Sequence, residues 1–157
     1  MFIEYLLESY LKKWFHATSN DFDTFDVTKS DLGSHFGNLQ QANYVLNNRL
    51  RRNGNHKLIT VNLSIYNPLR LKDVGCFHAD CIADQLYKKN VIDKELFRQF
   101  SEDDAHEYRK EYNQIIRNKL LEKGYDGVVY RNNHEGRGDS IIAIHPSHIN
   151  ILKKEPV

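Results

Sequence analysis

Apolar residues recur at two spacings along the chain, one helical and one extended, and the switches between them mark out its elements. Phe2, Tyr5, Leu6 and Ser9, with Ile3, Leu7, Tyr10 and Leu11, fall at helical spacing and predict a short amphipathic helix over residues 1–12. Lys13 to His16 reads as a short strand leaving it. The polar stretch from Ser19 to Gly37, rich in Asp, Thr, Ser and Asn, predicts an irregular loop. Helical spacing returns over Asn38 to Arg51, with Asn38 as N-cap and Leu39, Ala42, Val45, Leu46 and Leu50 as the buried stripe. Gly54 suits a left-handed cap at its end. Lys57 to Ile65 alternates apolar with polar and predicts a strand, which Asn67-Pro68 stops.

Three helices follow, over about Ala79–Lys89, Lys94–Phe100 and Asp104–Lys123. The last opens on Glu102-Asp103-Asp104, which suits the positive end of a helix dipole. It carries Tyr108, Tyr112, Ile115, Ile116 and Leu120 on one face and stops at Gly124. Three short strands close the chain, Gly127–Arg131, Ser140–His145 and Ile149–Leu152. The glycines, asparagines and charges between the first two of them predict an exposed loop. This order is neither a βαβ alternation nor an all-β pattern. It predicts an α+β fold, with a mixed or mostly antiparallel sheet flanked by helices, in one domain spanning 1–157.

Composition narrows the picture. With 40% hydrophobic and 27% charged residues over 157 positions, the chain reads as an ordinary globular domain with enough length for a core. A net charge of +1 gives no expectation of nucleic-acid binding. Glu4 and Glu8 interrupt the apolar N-terminal run, and Lys12 and Lys13 follow it, so it does not read as a signal peptide. No stretch is long enough for a membrane span, and a cytoplasmic protein is expected. Cys76 and Cys81, close to His78 and Asp80, match no common zinc spacing and lack a second Cys/His pair, so no metal is expected. They read as small apolar fillers in a reducing compartment, with Asp80 or a neighbour capping the helix.

Three polar clusters beside strands carry candidate chemistry: Phe15 to Ser19, Gly33 to Gly37, and His134 to Ser140. Singly, each is more often packing, a bend or a solvated hairpin. Their order is more specific. WFHATS (Trp14 to Ser19) resembles the first-strand motif of the ADP-ribosyltransferase superfamily, an aromatic followed by His-Gly-Thr or His-Gly-Ser. GSHFGNLQQANYVL (Gly33 to Leu46) resembles its second motif, a glycine-led turn into a helix carrying a small residue. GYDGVVYRNNHEGRGDSIIAIHPSHINIL (Gly124 to Leu152) resembles its last segment, and Asn67-Pro68-Leu69 matches as well. The likeness is to small bacterial and phage-type transferases, including modules of polyvalent phage and plasmid proteins. It is weakest over a helical insertion from about Gly75 to Glu122.

The resemblance implies a split mixed or antiparallel sheet flanked by helices, with NAD as co-substrate. It also implies transfer of ADP-ribose to a macromolecule, a protein of a host or competitor cell. His16 would hydrogen-bond a ribose of NAD, the Ala17 backbone would pair with the carboxamide, and Thr18 would support the strand end. His35 would stack on nicotinamide where many members have tyrosine, with Ser34 and Phe36 beside it. Ala17 replaces the family's usual glycine. The acid departs from the pattern, because Ser140 stands where some members carry glutamate. Asp139, next to the strand, is the first choice for the catalytic carboxylate and Glu135 the second, with Ser140 on the ribose or the acid. Strand alternation would put Asp139 and Ser140 on opposite faces unless a bulge intervenes. Arg131 and Arg137 read as surface residues that could reach a pyrophosphate. Asp31 reads as a turn residue and Tyr130 as strand core. Two other readings stand beside this one. One is an inactive NAD-binding or protein-interaction module of the same fold. The other is a metal-dependent hydrolase using the scattered histidines, which lack paired-ligand spacing.

Overall fold

The structure is a computed structural model that describes Ile3, residues 12–50 and residues 54–157. The expected helix over 1–12 therefore lies outside the described residues, Ile3 and Lys12 aside. Among the described residues, seven strands and four α-helices form a mixed α+β fold. In chain order they are β1 Trp14–Thr18, β2 Ser34–Phe36, α1 Leu39–Asn48, β3 Lys57–Leu63, β4 Pro68–Arg70, α2 Ala79–Lys88 and α3 Lys94–Phe100. Then come α4 Arg109–Glu122, β5 Gly127–Arg131, β6 Asp139–Ala143 and β7 Ile149–Pro156.

The strands divide into two sheets. One is antiparallel in the order β1-β3-β7. The other runs β2-β6-β5-β4 and is mixed, since β4 pairs parallel to β5. Alternation along the second sheet gives it two apolar faces. Phe36, Ile141 and Ala143 share a core with Trp14, Ile59 and Val61 of the first sheet. Leu69, Val128 and Ile142 face the other way and are covered by the helices through Ile82, Leu86, Ile116 and Leu120. Each such side chain contributes about 1.5–3 kcal/mol on burial, so the 75–122 segment is a full structural layer. Its helices are also tied to one another. Asn113 on α4 accepts the N–H of Ala79 at the start of α2 at 2.8 Å, and Arg109 grips Asp80 at 2.9 and 2.8 Å.

The two sheets join at a seam. Phe15 of β1 and Gly37, just after β2, exchange reciprocal backbone hydrogen bonds of 2.9 and 3.0 Å. Gly33 lies flush against β6, where a Cβ would collide with the Ala143 carbonyl oxygen. At Gly37 a Cβ would collide with the Gln41 side chain. Both glycines are close-approach positions.

Several expectations are corrected. The Ser19–Gly37 stretch is not all loop: Ser34–Phe36 is a strand, too short and too polar to show a period. β4 begins at Pro68 itself, where only a stop was expected, because its pairing is supplied by distant β5. α1 ends at Asn48, with Arg49 as its C-cap, so Gly54 does not cap it. Its buried residues are Gln41 and Ala42, while Leu39 is 46% exposed. The stretch beginning at Asp104 opens as a 3-10 turn over Ala105–Tyr108, and α4 starts only at Arg109. Tyr108 is accordingly exposed. Asp80 caps nothing and pairs with Arg109 instead. Cys76 and Cys81 are joined by a disulfide, their Cα atoms 5.8 Å apart, so they are not the free thiols expected, although Cys81 does pack against the helical core. No helix among the described residues is long and apolar enough to cross a membrane.

Candidate active site

A cleft of about 300 Å³ opens beside the seam, between β1, β2 and the start of α1. His16 and Ala17 line it from β1, His35 and Phe36 from β2, and Ser140 and Glu135 from the last segment. A second chamber of about 280 Å³ adjoins it. The two share His35, Arg49, Tyr130, Asn132 and Glu135, so together they make one bent cleft. Each volume is near the lower bound for a small-molecule pocket, about 300–1,000 Å³.

His16 is a seam residue as well as a cleft residue. Its Nδ1 lies 2.8 Å from the carbonyl oxygen of His35. A carbonyl only accepts, so the proton sits on Nδ1 and Nε2 keeps its lone pair. Burial lowers the basicity of the ring, against the opposing pull of that hydrogen bond, and the imidazole is neutral at pH 7. Phe25, edge-on at 5.2 Å, and Phe36 at 5.7 Å wedge it in place.

The His134–Ser140 segment is organised by residues outside the sequence motifs. Asn132 accepts the backbone N–H groups of His134 and Glu135, each at 2.9 Å, and donates to Ser140 Oγ at 3.1 Å. Gln41, 2% exposed, accepts from Ser140 Oγ at 3.2 Å and from the Asn38 N–H at 2.9 Å. Its amide nitrogen donates to the Gly138 carbonyl at 3.1 Å, and Asn38 donates to the Arg137 carbonyl at 2.9 Å. The loop is thus fastened to the N-terminus of α1. Gly136 and Gly138, at φ +126 and +111, supply the left-handed turns it needs. Glu135 sits half-buried at the junction of the two chambers. Among the described residues its carboxylate has no hydrogen-bond or ion-pair partner.

Asp139 is elsewhere. β6 begins at Asp139 without a bulge, so Ser140 turns toward the cleft and Asp139 away from it. Its carboxylate takes both ends of the Arg70 guanidinium, at 3.1 and 2.7 Å. That pairing holds it below the usual carboxylate range. The acid favoured by nearness to the strand is therefore outside the cleft, and the second choice, Glu135, is inside it. Ser140 lines the cleft, with its hydroxyl donating to Gln41 and accepting from Asn132. Thr18 accepts the Asn20 N–H at 3.1 Å and supports the strand end. Ser34 is buried in β2 and does not line either chamber.

Both ring nitrogens of His35 are engaged, Nε2 by Asp31 at 2.7 Å and Nδ1 by the Tyr130 hydroxyl at 3.0 Å. Desolvation works to raise the Asp31 pKa, but the hydrogen bond and charge of His35 outweigh it and leave the carboxyl below its ordinary range. Burial pushes the Tyr130 phenol up. The Asp31 backbone is held in turn by Arg117 of α4, a buried guanidinium that donates to the Asp31 and Leu32 carbonyls at 3.2 and 2.9 Å. Phe77, next to disulfide-bonded Cys76, packs on Tyr130 at 4.4 Å and His35 at 5.7 Å.

Sequence reasoning missed Gln41, Asn132, Arg49, Asp31 and Tyr130 as parts of the site. Of these, Gln41 had a readable signal, because Asn38-x-x-Gln41 is capping-box spacing and both bonds of the box form. Among the described residues no group of three His, Cys, Asp or Glu side chains is placed to hold a metal ion. Comparison with protein-family models, with curated proteins and with solved structures finds no match to this chain.

Proposed function

We propose that this protein is an ADP-ribosyltransferase. It cleaves NAD at the nicotinamide–ribose bond and passes ADP-ribose to a macromolecule, a protein in the reading favoured here. One observation carries the proposal. Three segments widely separated in the chain, at His16, His35–Phe36 and Glu135, line one cleft, and Glu135, whose carboxylate has no partner among the described residues, borders both of its chambers. Cleavage leaves positive charge on the ribose, and a carboxylate about 4 Å from that charge is worth roughly 4 kcal/mol at a partly buried dielectric, against about 1 in water. Two sheets meeting beside the cleft support the split-sheet fold that the resemblance implies.

In this reading the His16 Nε2 lone pair accepts a ribose hydroxyl, while Ala17 lies beside it on the β1 edge. Phe36 and His35 form the ring pocket, and Glu135 is the catalytic acid residue in place of Asp139. Arg49, which faces both chambers, is better placed than Arg131 or Arg137 to meet the pyrophosphate, since a guanidinium fork suits phosphate oxygens.

The test uses NAD labelled in its adenosine portion, with and without cell lysate. Release of nicotinamide, and label on protein, are expected for the wild type and for Asp139→Asn, and are expected to be lost in Glu135→Gln. If Asp139→Asn is inactive while Glu135→Gln is active, the assignment of the acid fails. If NAD binds but nicotinamide is never released, the domain is a binding module.

A further inference from the structure

Resting on that reading, we infer that Asp31, His35 and Tyr130 form a proton relay for the incoming acceptor, and that the second chamber admits a neutral hydroxyl-bearing acceptor. The geometry is a continuous line of hydrogen bonds. Asp31 Oδ1 is 2.7 Å from His35 Nε2, and His35 Nδ1 is 3.0 Å from Tyr130 Oη. The Asp31 carboxylate accepts, so Nε2 carries the proton. Nδ1 is then the acceptor and takes the Tyr130 O–H. That leaves the Tyr130 oxygen, with Ser140 as its cross-strand neighbour, able to accept a proton at the wall common to both chambers.

The balance of the transfer step calls for such a group. The bond from the nicotinamide nitrogen to the ribose carbon breaks, and nicotinamide leaves with the electron pair. The acceptor oxygen forms the new bond to that carbon and must lose its proton. The proton passes to Tyr130 Oη as the Tyr130 proton passes to His35 Nδ1. The resulting imidazolium is stabilised by the Asp31 carboxylate. Tyr130 is thus the catalytic residue that touches the acceptor. Asp31 is a positioning residue, held by Arg117.

The chamber lining argues for the class of acceptor. Asp31, Asp73 and Glu135 all border it, which disfavours an acidic side chain as acceptor. A carboxylate also arrives without a proton and has no use for a relay. With Arg49 assigned to the pyrophosphate, this lining excludes an acidic acceptor, and the neutral hydroxyl is set against a cationic acceptor by the methanol and agmatine arms of the test.

Aqueous methanol supplies the simplest such acceptor, and O-methyl-ADP-ribose and ADP-ribose are the products to measure. Tyr130→Phe is expected to lower kcat for both by ~10²-fold or more at little change in KM, the usual scale of general acid–base catalysis. Asp31→Asn is expected to lower it less. It should also move the His35 imidazole ¹⁵N signals from a pure Nε2–H form to a mixture of tautomers, and Asp31→Glu should restore them. Urea denaturation separates these effects from unfolding. The relay is overturned if folded Tyr130→Phe keeps kcat within about threefold, or if the wild-type His35 proton sits on Nδ1. The acceptor class is overturned if agmatine, a guanidinium, is modified and methanol is not. If the wild type releases no nicotinamide from NAD, the proposed function falls and the relay falls with it. Nicotinamide release that is indifferent to Tyr130 and Asp31 sinks the relay alone.

Discussion

Replacing Gln41 by leucine tests whether the loop that carries Glu135 is fastened as described. The two side chains are close in size, so the change leaves little cavity and isolates the polar contribution. The three shortest hydrogen bonds lost are from the Asn38 N–H at 2.9 Å, from Ser140 Oγ at 3.2 Å, and to the Gly138 carbonyl at 3.1 Å, with two longer ones of 3.4 Å to the Gly136 and Arg137 carbonyls. At about 1 kcal/mol net for each of the three shortest, the expected loss is roughly 3 kcal/mol. For a domain of this size that corresponds to a fall in Tm of about 6–12 °C. Urea denaturation with a fitted m-value gives the free energy, and calorimetry gives the Tm. Gln40→Leu is the control, one position away on the exposed side of α1, and it is expected to change stability by no more than about 0.5 kcal/mol. A loss in Gln41→Leu of less than about 1 kcal/mol, or one equal to the control, would refute the fastening, because a buried network of this kind cannot be broken so cheaply.

Other outcomes follow from the same structure. Gly33→Ala should destabilise the protein by about 1–3 kcal/mol in urea, because the new methyl meets the β6 backbone at Ala143, which cannot swing aside. Burial depresses the His16 pKa in the folded state, so the unfolded chain binds that proton more readily; stability should decline as pH falls below about 6.5. His78 is depressed by burial as well and shares this limb, so His16→Gln should flatten the pH 7 to 5 slope without abolishing it. Asp31 and Asp80 are also depressed, and the loss should therefore continue below about pH 4. Reducing the Cys76–Cys81 bond, which closes a very short loop, should cost about 2 kcal/mol in chemical denaturation. Unchanged stability after both thiols are titrated would show that the bond constrains nothing.

The order of the elements was legible because most of them carry their own period. Lys94–Phe100 and Gly127–Arg131 were read to the residue. What escaped reading depends on partners far away in the chain. β2 and β4 are three residues each and exist because β6 and β5 supply their hydrogen bonds. Leu39 looks apolar enough for a core stripe, yet the buried positions on α1 are Ala42, which the stripe includes, and a glutamine, which it does not. A glutamine is recognisable as core only once Ser140 and Gly138 are known to stand opposite. The three clusters that line the cleft were visible, but the choice between Asp139 and Glu135 was not. Nearness along the chain favoured Asp139, whereas strand alternation and Arg70 took it to the other face. Asp31, read as a turn residue, meets His35 only because the chain bends back and Arg117 pins it there.

The seam between Phe15 and Gly37 has a mechanical consequence. Two reciprocal backbone hydrogen bonds of 2.9 and 3.0 Å tie β1 to the residue that follows β2. Asn38 and Gln41, which follow directly on Gly37, are also the residues that hold the Arg137 and Gly138 carbonyls, so the seam and the loop carrying Glu135 share one anchorage. A change that parts Phe15 from Gly37 therefore pulls on that loop as well.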